Sequence, residues 1–292
     1  MCLLMYEIKQ YKDGQYDVYE LIDRRAKAWM KAAPERGGII IGYGVEGTEL
    51  LYLNNETFQD EEANVRGGIP ILFPISGQLE NGEYEWEGIS YTMKNHGFAR
   101  NMPWEVIETG ATNDGAFMTI RLKSNEETKK SYPFDFEVIY TYRLQDGKLS
   151  IEQEYRNESD VEMPIYPGFH PYFKTAEKDL AYRTDAKSFL DYNDGKVKSL
   201  QEGLNLNGKK ESLVLLDAEE KSIEFPLPEL SKSVLLEYGA EFRYVVLWTE
   251  EGKEFVCVEP WFAKTGQFNL KDELTFIQPG EGLKTFLTLS AK

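Results

Sequence analysis

Apolar residues recur mostly at every second position along the chain, in short runs closed by turn residues. The clearest run is FEVIYTYRL at 136–144, where Phe136, Val138, Tyr140 and Tyr142 fall on one face and Glu137, Ile139, Thr141 and Arg143 on the other. A period of two is that of a half-buried β-strand, whose successive side chains point to opposite faces. Similar alternating or apolar runs lie at 115–124, 149–157, 243–249 and 254–261. Asp-Gly pairs in QDGK at 145–148 and NDGK at 193–196 supply the residues of tight hairpins, and TEEGKE at 249–254 reads as another hairpin loop. Helical periodicity is scarce: short helices are expected near 58–64 and 126–131. The more polar segment 174–232 is expected to form loops crossing the end of a sheet. Many short strands between turns predict an antiparallel sandwich or barrel. No Pro/Ser-rich linker, low-complexity tract or fixed-period repeat divides the chain, so a single domain over 1–292 is expected.

Composition adds limits on partners. Hydrophobic residues make up 41% and aromatics 13%, enough for a packed core, while the net charge is −17. That field repels phosphate backbones and anionic lipid, which argues against nucleic acid and membrane surfaces as partners. A soluble monomer or homodimer acting on a small molecule is expected. The only cysteines, Cys2 and Cys257, are too far apart in sequence to suggest a metal cluster or a disulfide framework, and reduced thiols in a cytoplasm are the simpler reading. The opening MCLLMYEIKQ turns polar too soon for a signal segment, and no run has the ~18 apolar residues of a membrane span.

Three blocks carry candidate chemistry. The chain has only two histidines: His96 in KNHGFARNMPW and His170 in YPGFHPYF. Histidine titrates near neutrality, although a histidine among apolar residues is more often simply packed and hydrogen-bonded. Around His170, the rings of Tyr166, Phe169 and Tyr172 suit the C–H face of a sugar. Glu259, in FVCVEPWF, ends a strongly apolar strand, where a carboxylate is costly unless it is paired or useful. The His96 block runs from Arg66 to Trp104, and its cations Arg66 and Arg100 read equally well as surface ion pairs.

Taken together and in this order, GGIPILFP, HGFAR with PW after it, FHPYF and VEPW resemble the aldose 1-epimerase (mutarotase) family, in its branch with the hexose-6-phosphate epimerases. The resemblance runs from about Arg66 to Gly280. It implies a large antiparallel β-sandwich with the site on a concave sheet face, and a cofactor-free, metal-free isomerase acting on a sugar or sugar phosphate. It also implies roles: Glu259 as the base at the C1 hydroxyl, His170 as the acid at the ring oxygen, and His96 as a hydrogen-bonding partner near that oxygen. Arg66 and Arg100 match arginines that hold a phosphate in such relatives, and Asp191 or Asp194 matches a sugar-binding aspartate. Gln78 departs from the pattern: it stands where many relatives carry arginine, and it offers hydrogen bonds without charge.

Three rivals follow from the same residues. A non-catalytic carbohydrate-binding protein would share the aromatic face without needing the histidines and the glutamate. A metalloenzyme could use His96, His170 and Glu259 as a facial triad, although the usual close H-x-D/E pair is missing. A glycosidase needs a second carboxylate, and no other acid stands out as Glu259 does.

Overall fold

The computed structural model describes residues 5–292. Cys2 and the first part of the opening segment lie outside the described residues. From Tyr6 the chain enters a five-stranded antiparallel sheet, Tyr6–Asp13, Tyr16–Asp23, Ala28–Ala33, Ile39–Val45 and Thr48–Glu49. Two larger sheets form the body. The seven-stranded one runs in the order Ser222–Leu227, Lys232–Tyr238, Gly282–Ala291, Lys148–Asn157, Phe136–Gln145, Ala116–Lys123 and Glu105–Ala111. The eight-stranded one runs Lys196–Ser199, Ser188–Asp191, Leu213–Leu215, Tyr244–Trp248, Phe255–Trp261, Gly168–Phe169 and Ile71–Leu72, with Tyr172–Lys174 also pairing Phe255–Trp261.

The expected alternation builds the interior. Phe136, Val138, Tyr140, Tyr142 and Leu144 are all buried on one face of their strand, and the hairpin to Lys148–Asn157 turns on Asp146 and Gly147, both at positive φ. Aromatic contacts join the two large sheets: Tyr140 meets Phe169 with ring centroids 5.8 Å apart, and Phe173 meets Phe225 at 4.9 Å. The Tyr43 hydroxyl fastens the five-stranded sheet by donating to the carbonyls of Gly147 at 2.7 Å and Leu289 at 3.1 Å. The architecture is an antiparallel sandwich, which decides between the two β classes left open by periodicity.

Two expectations need correcting. The first helix is Asn55–Gln59, earlier than 58–64. Asn54 caps its start by accepting from the Thr57 amide, and buried Arg36 donates to the carbonyls of Thr57, Phe58, Asp60 and Ala63, closing the chain's path after the helix. The second, Glu126–Ser131, lies where expected, capped by Asn125. The segment 174–232 is not only loops: it supplies Ser188–Asp191, Lys196–Ser199, Leu213–Leu215 and Ser222–Leu227 to the large sheets. The strands of three or four residues are too short to show a convincing period of two, whereas Ser222–Leu227 alternates strictly, with Ile223, Phe225 and Leu227 buried, and was legible in SIEFPL. Among the described residues no helix is long and apolar enough to cross a membrane.

Candidate active site

Alternation also builds the site. Along Phe255–Trp261 and its continuation, Val256, Val258 and Phe262 enter the main core. Cys257, Glu259 and Trp261 therefore face the opposite side of the sheet. The same holds across the strand pair: Phe169 and Phe173 join the core, so His170 and Tyr172 face the other way. Gly168 pairs with Trp261 and Tyr172 with Cys257, a register that sets His170 directly opposite Glu259. His170 Nδ1 lies 3.5 Å from Glu259 Oε1. Val246 pairs with Glu259 from the neighbouring strand and gives the carboxyl an apolar flank. Gly168 is required: a Cβ there would sit 2.7 Å from Trp261 Cδ1 and 2.9 Å from Ser76 Cβ.

His96 reaches the site from a turn. His96 and Gly97 both adopt left-handed backbone, at φ 65° and 69°, and a Cβ on Gly97 would lie 2.2 Å from the Phe73 carbonyl oxygen. The His96 Nδ1–H donates to the Ser76 carbonyl, leaving Nε2 as the free ring nitrogen. Its ring stands edge-on to His170, with centroids 5.3 Å apart.

These groups open onto a cavity of about 640 Å³, large enough for a hexose. Arg66, Gln78, His96, His170 and Glu259 all line it. Burial governs their ionisation. It pushes the Glu259 carboxyl well above the usual carboxylate range, only partly offset by the nearby Trp261 indole and Arg100 guanidinium. It pushes His170 well below the usual histidine range, reinforced by His96, Arg100 and Arg66. His96 is lowered to about 3 by burial and by Arg100, with the Ser76 carbonyl opposing. Glu259 Oε2 and His170 Nδ1 are buried without a hydrogen-bond partner among the described residues.

Other expected residues stand elsewhere. Asp191 does not line the cavity. Its carboxylate accepts from Lys198 and Lys209, each at 2.6 Å, and from Asn193 at 2.8 Å. Burial alone would raise its pKa, but these hydrogen bonds hold it far below the usual range. Asp194 pairs with Lys198 at 2.7 Å at the surface. Arg100 lies behind the lining and donates to the Asn95 carbonyl at 3.0 Å; burial lowers its pKa to about 10. Tyr166 and Phe169 belong to the core, so of the three expected rings only Tyr172 shares the His170 face, stacked on it at 4.7 Å.

The aromatic walls are instead Trp248 and Trp261, together with Tyr192. A loop carrying Lys210, Glu211 and Ser212 completes the cavity. That loop is held by the Asn193 side chain, which accepts the amides of Lys210 and Glu211, and by the Trp248 indole, which donates to the Lys210 carbonyl at 3.1 Å. Trp248 is legible in principle, because it shares the period-two face of its strand with Val246 and that face lies beside Glu259. The loop carries no local sequence signal; only the fold brings it to the site.

A profile of the aldose 1-epimerase family matches residues 21–283. The chain belongs to the aldose 1-epimerase family. The enzyme is thus an isomerase. A relative from Escherichia coli K12, provisionally named a glucose-6-phosphate 1-epimerase, is 27% identical over 242 residues, covering 77% of this chain and 76% of that one. The crystal structure of the Slr1438 protein from Synechocystis sp. PCC 6803 is 34% identical, covers 99% of both chains and superposes with a TM-score of 0.92. A galactose mutarotase-like protein from Clostridium acetobutylicum shares the fold, with 18% identity, 98% coverage of each chain and a TM-score of 0.82.

Proposed function

We propose that this epimerase interconverts the α and β anomers of a hexose phosphate or a hexose, with Glu259 as base, His170 as acid and His96 as the acceptor that holds the opened sugar. The observation that carries the reading is the cross-strand pair of His170 and Glu259, 3.5 Å apart and both buried at a cavity of sugar size.

In the forward step Glu259 takes the proton of the C1 hydroxyl, the C1–O5 bond breaks as C1 becomes an aldehyde, and His170 gives its proton to O5. After rotation about C1–C2, O5 attacks the other face of C1. His170 regains the O5 proton and Glu259 returns its proton to the C1 oxygen. Before ring opening the pair is carboxylate and imidazolium; afterwards it is carboxylic acid and neutral imidazole. Burial favours the second form, as the directions of both pKa shifts show. The resting site is therefore one proton transfer, from Glu259 to His170, away from the pairing that opens the ring. His96 favours the opened sugar: a neutral ring with its Nε2 lone pair free accepts a hydrogen bond from O5–H, and O5 carries a proton only when the ring is open.

The cations favour a phosphorylated sugar. The Arg66 guanidinium lies over the Trp248 ring at 5.4 Å, and Lys210, whose backbone carbonyl accepts from the Trp248 indole, also lines the cavity, in a chain of net charge −17. Glu211 and Gln78 remain for sugar hydroxyls. Cys257, a free buried thiol, fits a reducing cytoplasm.

Anomer exchange measured by NMR saturation transfer, with glucose 6-phosphate, glucose and galactose side by side, tests the reading. Acceleration strongest for the phosphate is expected. No acceleration with any sugar would overturn the reading and leave a binding protein on the same fold.

A further inference from the structure

We propose that Cys257 joins His170 and Glu259 to form a binding site for a thiophilic divalent cation, zinc or cadmium, at the floor of the cavity. Cys257 and Glu259 are two residues apart on one strand and face the same side, while His170 lies across from Glu259 and diagonal to Cys257. One donor atom from each lies within 4.8 Å of the other two. The three residues are 6%, 0% and 1% exposed, in the order His170, Cys257, Glu259. Neither His170 Nδ1 nor Glu259 Oε2 has a hydrogen-bond partner among the described residues, so two of the donor groups have unused capacity.

Imidazole, thiolate and carboxylate are the donor types of zinc sites with one open position. Zinc–ligand bonds of about 2.0–2.3 Å require these donors to close in by small side-chain rotations. His170 and Glu259 line the cavity while Cys257 is fully buried beside them, so the ion would reach the site from the cavity side. Binding displaces the Cys257 thiol proton and the Glu259 carboxyl proton to solvent and forms metal–sulfur and metal–oxygen bonds. The cation also neutralises two anions that burial otherwise keeps protonated. His96 is not one of these ligands, so the grouping differs from a facial triad of two histidines and a glutamate. Occupancy removes both the acid and the base, so the ion inhibits epimerisation; this consequence rests on the roles proposed above, whereas binding does not.

The test is titration of the full chain with cadmium, followed by the ultraviolet thiolate-to-cadmium absorption and, in parallel, by anomer exchange. The wild-type chain is expected to take up one cadmium with the absorption band, to lose exchange, and to recover it when a chelator is added. Magnesium should do neither. Cys257→Ala, which retains Cys2, should show no band and keep exchange at cadmium concentrations at least tenfold higher; Cys257→Ser serves if the alanine variant does not fold. No band in the wild-type chain, or equal cadmium sensitivity in the variants, would overturn the site. A band that depends on Cys257 with exchange unaffected would support the site and overturn the roles given to His170 and Glu259.

Discussion

Glu259 and His170 are shifted by burial in opposite directions, so the pair holds one proton between them over a wide range that includes neutrality. The acid limit of that range is set by the lowered His170 and the alkaline limit by the raised Glu259. kcat/KM is therefore expected to stay flat across neutrality and to fall in acid only below the ordinary histidine value; a profile that halves near about 6.5 would contradict the assignment. The same burial affects stability. Above about 4.5 the unfolded carboxyl is ionised while folded Glu259 keeps its proton, so the native state binds more protons and Glu259 costs more stability as pH rises toward its folded pKa. Glu259→Gln removes that cost. Its melting temperature should exceed the wild-type value by more at about pH 9 than at about pH 5, measured by calorimetry. At this scale the sequence was informative where a residue type is rare. Two histidines and one carboxylate at the end of an apolar strand were legible, whereas the roles of Arg100 and Asp191 depend on which side of a wall they occupy.

Strands and turns place these groups, and small changes in them should move the chemistry. Gly168→Ala forces a methyl against Trp261 and Ser76 in a packed sheet. A loss of about 1–3 kcal/mol in denaturant unfolding is expected, with a raised KM as the Trp261 wall shifts. An unchanged KM would show that Trp261 is not part of the binding surface. Asp191→Asn removes the negative charge that pairs with Lys198 and Lys209 at the root of the 208–212 loop. KM should rise several-fold with little change in kcat, because the loop carries lining residues but neither of the two groups proposed to transfer protons. The strand alternation behind both arguments was visible in FEVIYTYRL and in EFVCVEPW. The three- and four-residue strands within 174–232 were not, because so few residues cannot display a period and their pairing is set by distant partners.

At the scale of the whole molecule, a chain of net charge −17 holds a cavity lined by Arg66 and Lys210. Arg66→Ala and Lys210→Ala should each raise KM for glucose 6-phosphate while leaving KM for glucose nearly unchanged, and the effect should shrink as salt is added. Equal losses for both sugars would assign the two cations to the architecture of the wall. The sandwich class was open from periodicity alone, since strand count does not distinguish a sandwich from a barrel, and the ordered motifs from Arg66 onward were what pointed to the family. The most direct measurement is anomer exchange of glucose 6-phosphate by wild type, Glu259→Gln and His170→Ala, each first shown to be folded. Exchange slowed by about 10²–10⁴-fold in each variant is the predicted result. Wild-type exchange in both would contradict the assignment of this pair as the acid and base.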